Sequence, residues 1–159
     1  MAHFRDVSRH VVFPLKRKGD TLIVSPAGDV GSFTSADVQG ELNQVVKLFD
    51  DPRLKNVIVD LGSSNYFGSE MIGAINFLGN HVRERGGRFA VCEASPDMRQ
   101  GLHIMKLDTI WPLHESRREA ENAVVTQSLG QKFRANLVWI LLAAVLLTAG
   151  ALAWVISRR

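Results

Sequence analysis

The chain has 159 residues, enough for one domain of ordinary size and an appendage. With 46% hydrophobic and 22% charged residues it is globular rather than disordered, and a lone cysteine, Cys92, leaves no internal disulfide and no cysteine-cluster metal site. The net charge of +3 is modest and its Lys and Arg residues never form a run of five, so nothing points to a nucleic-acid surface.

The first ten residues, MAHFRDVSRH, lack the apolar core of a signal peptide. Two short β-branched runs follow, His10 to Pro14 and Thr21 to Ser25, separated by Lys16-Arg17-Lys18-Gly19-Asp20; the Gly-Asp pair suggests a hairpin. Pro26-Ala27-Gly28-Asp29 ends the second run. Thr34-Ser35-Ala36-Asp37 has the form of a capping box, with Asp37 where Glu is usual. A helix is expected next, because Val38, Leu42, Val45, Val46 and Phe49 recur at helical spacing before Asp50-Asp51-Pro52 stops them. Asn56 to Leu61 (NVIVDL) is nearly continuous in apolar residues, as a central strand covered on both faces must be.

That strand hands over to a helix through NYFGSEMIG, Asn65 to Gly73. Ile72, Ile75, Leu78 and Val82 form one stripe of this second helix, and Gly86-Gly87 ends it. Ser69 has two readings here. It is an N-cap accepting an N–H of the first turn, worth about 1 kcal/mol, or a hydroxyl offered to solvent at a helix start. Glu70 is a favourable charge in the first turn, worth about 0.3–1 kcal/mol. Met71 and Phe77 lie off the stripe; they pack in the core or form an apolar docking patch beside Ser69.

Arg88 to Cys92 is another short strand, which makes Cys92 a buried, inert thiol. Ser95-Pro96-Asp97 starts a third helix with a cap, a first-turn proline and an acidic group at the positive dipole end. Leu102, Met105 and Leu107 are expected to face inward. A short edge strand near Ile110 to Leu113 and a helix from about Ser116 to Val125 complete the order β-β-α-β-α-β-α-β-α. Such alternation predicts an α/β domain: a mixed, mostly parallel sheet of four to five strands, with about four helices chiefly on one face. The domain is expected over residues 1–124, with a linker over 125–134.

Residues 137–156, LVWILLAAVLLTAGALAWVI, carry no charge and match the roughly 20 residues a helix needs to cross a bilayer. Lys132 and Arg134 precede the stretch, Arg158 and Arg159 follow it, and Trp139 and Trp154 lie near its ends. A C-terminal transmembrane helix is therefore expected over 135–157. It would hold the chain as a single-pass anchor, with the folded domain on the cytoplasmic side.

Enzyme motifs fail. A nucleophile elbow needs G-x-S-x-G, but here glycine directly precedes Ser69 and Met71 takes the second glycine position. A phosphate-binding loop needs a glycine-lysine pair that Gly62-Ser63-Ser64-Asn65 does not reach. The five histidines, His3, His10, His81, His103 and His114, show no metal spacing, so neither metal nor cofactor is expected.

Four motifs in order resemble the STAS domain, the sulfate-transporter and anti-sigma-factor-antagonist fold. Ala27-Gly28-Asp29-Val30 is similar to its G-E-L turn and Val57-Ile58-Val59-Asp60-Leu61 to its I-V-x-D-L strand. Tyr66-Phe67-Gly68-Ser69 stands where the family has F-I-D-S, and Ala94-Ser95-Pro96 resembles the start of its third helix. The resemblance implies that Ser69 is the phosphoacceptor of a partner-switching module. Its partner would be an anti-sigma factor that doubles as a serine kinase, bound through Gly31, Gly68, Glu70, Met71 and Phe77. Gly31 and Gly68 replace two acidic positions of the family, and Glu70-Met71 replaces its Ser-Gly. These departures suit the other reading, a constitutive adaptor subunit of a membrane transport complex or another membrane assembly.

Overall fold

A two-residue turn, Gly19-Asp20, folds the first two strands together: β1 (Leu15–Lys18) pairs antiparallel with β2 (Thr21–Val24), Lys18 opposite Thr21. Gly19 takes the left-handed φ of +61° that such a turn demands. The structure, a computed structural model, describes residues 12–28, 33–64 and 68–125. The basic run Lys16-Arg17-Lys18 therefore belongs to the first strand, whereas Val12 to Pro14, expected in a strand, are bend and coil. A strand at a sheet edge can turn long cations to solvent, and here Leu15 and Arg17 are half-buried while Lys16 and Lys18 are exposed. Val12 and Phe13 still enter the core, their N–H groups donating to the Glu41 carboxylate at 3.0 and 3.1 Å.

The remaining strands, β3 (Asn56–Asp60), β4 (Phe89–Cys92) and β5 (Leu113–His114), extend the sheet in parallel from β2, in the order β1-β2-β3-β4-β5. Helices α1 (Ser35–Lys47), α2 (Ser69–Glu84) and α3 (Pro96–Ile104) form the crossovers between them. The chain's punctuation is where the residues place it. Thr34 and Asp37 close a reciprocal capping box on α1, and Ser95 Oγ accepts from Met98 N at 3.2 Å to cap α3. Gly86, at φ +74°, ends α2.

Alternation along the strands divides the buried residues between two faces. Leu22, Val24, Val57, Val59, Phe89 and Val91 belong to the core shared with α1, α2 and α3. Ile23, Ile58, Ala90 and Cys92 meet Ala120 and Val124 of a fourth helix, α4, described over residues 117–125. The second face is thus roofed by α4 rather than left open.

Two details of the inward set differ from expectation. Met105 is 43% exposed, and Met98 joins Leu102 in the core instead. Helix α3 has ended before Met105, and Lys106 takes a left-handed φ of +56°, so the helical period no longer sets direction there. Of the edge strand expected near Ile110 to Leu113, Leu113 alone pairs with β4, and the strand continues to His114 instead, while Trp111 is fully buried with its ring edge-on to Phe89.

The chain divides into two compact units, residues 1–124 and 125–159. The apolar stretch 137–156 lies outside the described residues; among these, no helix is long and apolar enough to cross a membrane.

Candidate functional site

The last residues of β2 and β3 feed the starts of α1 and α2, and this places two helix N-termini side by side. Each start leaves backbone N–H groups without helical partners and carries the positive end of a helix dipole. At α1 the Thr34 side chain and N–H supply two bonds to Asp37, which hold its carboxyl below the usual carboxylate range. At α2 the N-cap is Gly68, half-buried and extended at φ −96°, ψ 174°. Across the junction the Ser35 hydroxyl donates to Glu70 Oε1, tying the two helix starts together.

The helix begins one residue earlier than a capping Ser69 would require. Ser69 is the first helical residue, α2 has no side-chain cap, and Ile72 N donates at 3.1 Å to the Gly68 carbonyl. The capping role for Ser69 is therefore corrected: its side chain is exposed and is not spent on the helix start.

Of the residues expected beside it, Met71 belongs elsewhere. It is fully buried, one helical period before Ile75, Leu78 and Val82, so it packs the core and offers no surface to a partner. Ile72, expected in that stripe, is only half-buried. Phe77 is 47% exposed; its ring stacks on His81 at 6.5 Å, and His81 in turn meets the edge of Phe49 at 6.2 Å. Ser69, Gly73 and Phe77 follow one another at helical spacing along the outer face of α2, all exposed, over about 12 Å. Gly73 has nothing within 4 Å of where a Cβ would stand, so the stripe is bare in its middle. Gly31 lies outside the described residues.

A second polar group at this end was not singled out from the sequence. Asp60, the last residue of β3, is only 3% exposed and accepts from Arg117 Nε at 2.5 Å, from Arg117 Nη2, and from Gly62 N at 2.9 Å. Arg117 N donates to Glu93 Oε1 at 3.1 Å, and Glu93 sits at φ +58°. A carboxylate inside an apolar strand run was the available signal, since Asp is almost never buried without a partner. Cys92, beside Asp60, is buried; desolvation and then the charges of Asp60 and Glu93 push its thiol up to about 12. Among the described residues, no three His, Cys, Asp or Glu side chains gather as metal ligands.

This arrangement matches known proteins. The STAS domain model fits residues 13–120. BtrV of Bordetella bronchiseptica, by name an anti-sigma factor antagonist, is 28% identical over 105 residues, covering 66% of this chain and 87% of its own length. An anti-sigma-factor antagonist (STAS) domain protein from Planctomyces limnophilus superposes with a TM-score of 0.59 at 21% identity, over 71% of this chain and 97% of that one. The Bacillus cell fate determinant SpoIIAA, in its phosphorylated form, shares the fold at a TM-score of 0.51 and 15% identity, over 70% of this chain and 98% of its own. From the first hairpin to the start of α4, with two crossover helices meeting beside Ser69, the chain belongs to the STAS domain family.

Proposed function

We propose that this chain is a non-catalytic, protein-binding regulator of the anti-sigma factor antagonist type, switched by phosphorylation of Ser69 and tethered to a membrane through residues 137–156. The observation that carries the reading is the exposed Ser69 hydroxyl, free of capping duty at the head of the bare stripe that ends on Phe77. Phosphorylation would put about −1.5 to −2 charge at that point. The first N–H groups of α2, which have no partner within the helix, can hold such an anion. It would also stand next to the Glu70 carboxylate, which Ser35 now holds, so the α1–α2 junction and any partner seated across it would feel the change. That SpoIIAA exists in a phosphorylated form supports the same chemistry on this fold.

One observation favours a constitutive adaptor of a membrane assembly. Glu70 already supplies a fixed, hydrogen-bonded negative charge at the α2 start, as a built-in partial mimic of the phosphorylated state would.

The test uses the full chain with Ser69→Ala and Ser69→Asp in its own membranes, with phosphosite mapping and co-purification. Switching predicts phosphate on Ser69, and capture of a kinase-like ATPase that Ser69→Ala keeps and Ser69→Asp lowers at least tenfold. Equal capture of transport components by both variants, with no phosphate on Ser69, would establish the adaptor and sink the switch.

A further inference from the structure

Because β2 to β5 run parallel, their first residues gather at one end of the sheet and their last at the other. Ser69 and the starts of α1 and α3 lie at the far end, and the near end is built differently. Ile104, Met105 and Ile110, at 72%, 43% and 48% exposure, crowd between positions 104 and 110, where α3 stops and the chain turns toward β5. Lys106 stands among them, with Arg83 and Arg85 closing α2 and Lys55 entering β3, all exposed. Arg83 donates to the Ile110 carbonyl at 3.1 Å and to Asn80 Oδ1 at 2.7 Å, so uncharged acceptors hold it against the apolar segment with its charge intact.

Several carboxylates at this end are engaged: Asp51 by Arg17 and Arg53, Asp108 by His103, and Asp50 at 4.0 Å from Arg85. Asp20 and Glu84 remain exposed. Helix dipoles favour cations at helix ends, which accounts for part of this charge, but they give no reason for three bare aliphatic side chains. The course of α4 adds a direction. It starts with Arg117 on Asp60 at the far end, and Glu121 then takes the Lys18 ammonium at 2.6 Å, opposite the first residue of β2. The chain thus leaves the domain at the near end, through an exposed Val125, twelve positions before the apolar stretch 137–156.

We infer that this near end, with Ile104, Met105 and Ile110 set among Lys55, Arg83, Arg85 and Lys106, docks on an anionic lipid surface and turns the Ser69 end away from it. Aliphatic side chains would enter the headgroup boundary while the cations meet lipid phosphates, the pairing that interfacial segments use. The inference rests on the proposed tether for its setting, and its test separates the two.

The full chain is reconstituted with vesicles of phosphatidylcholine alone or with about a third phosphatidylglycerol, each carrying a lipid-borne quencher. An environment-sensitive label is placed at Met105→Cys or, on the outer face of α2, at Asn76→Cys. Cys92 is buried and stays unlabelled. Quenching at position 105 is expected to rise at least threefold on the anionic vesicles, with position 76 unquenched on both. Lys55→Glu with Lys106→Glu, checked for an unchanged melting curve, should abolish the rise. Equal quenching on both lipids, equal signals at 105 and 76, or label burial that grows with protein concentration without lipid would overturn the inference; the last would mean that a second copy covers the patch. Flotation with phosphatidylcholine vesicles reports the tether separately. A chain that floats without quenching keeps the tether and loses the docking surface; one quenched only on anionic lipid, without floating on neutral, does the reverse.

Discussion

At the scale of single residues, environment decides chemistry. The Cys92 thiol is buried among Ile23, Ile58 and Ala90 beneath α4 and pushed up to about 12, so at pH 8 its thiolate population falls roughly a thousandfold relative to its ordinary value of 9.0. Because the folded value is the raised one, the neutral thiol favours the fold below pH 9, and this contribution fades only as pH climbs toward 12. Alkylation of the native chain at pH 8 should therefore run at least a hundredfold slower than in denaturant, as followed by mass spectrometry; equal rates would mean that the α4 roof opens freely. The inertness of Cys92 was legible in its apolar run. The state of Ser69 was not, because a one-residue difference in where α2 begins decides between a spent and a free hydroxyl. Met71 escaped the expected core stripe for a related reason: with a stripe anchored on Ile72, a rotation of one position exchanges a buried side chain for a half-buried one.

At the scale of elements, the sequence carried the caps and breakers well, since Thr34, Asp37, Ser95, Pro96 and Gly86 act through bonds or angles confined to a few neighbouring residues. The first strand was misplaced because its edge position, a tertiary fact, is what lets Lys16, Arg17 and Lys18 be strand. Two glycines make the contrast between local and tertiary constraint measurable. Gly40 lies inside α1 with nothing within 4 Å of an added Cβ, so Gly40→Ala should stabilise by about 1 kcal/mol through helix propensity. At Gly87 the same methyl would meet the Lys55 carbonyl oxygen at 1.8 Å, where backbone must move. Gly87→Ala should cost about 2 kcal/mol or more, read from urea melts of both variants. No difference in sign between them would refute this account of the β3–β4 entry.

At the scale of the whole molecule, the alternation of strands and helices announced a mostly parallel sheet, and the sheet is one. What alternation could not reveal is that α4 closes the second face, because its two apolar contacts, Ala120 and Val124, make too faint a period to read. Its hold on the sheet is partly ionic. The Asp60 carboxylate is almost fully buried, and the half-exposed Arg117 is its charged partner, with Gly62 N–H as the other donor. Arg117→Ala should cost about 1.5–3 kcal/mol by stranding that carboxylate. Arg117→Ala combined with Asp60→Asn should recover part of the loss, and chemical denaturation of the two variants tests this directly. If the double variant were no more stable than the single, the ion pair would not be what fastens α4.

The position of β1 at the rim of the sheet has a consequence for self-association. Open rims invite a strand from another copy, whose backbone would settle about 4.8 Å away and complete the unused ladder. β5, at the opposite rim, is two residues long and offers little to copy. β1 is longer, but Lys16, Arg17 and Lys18 line it, and an identical strand laid alongside would bring its own cations into register with them. The basic run that resembles a turn in the sequence is thus also what discourages a sixth strand.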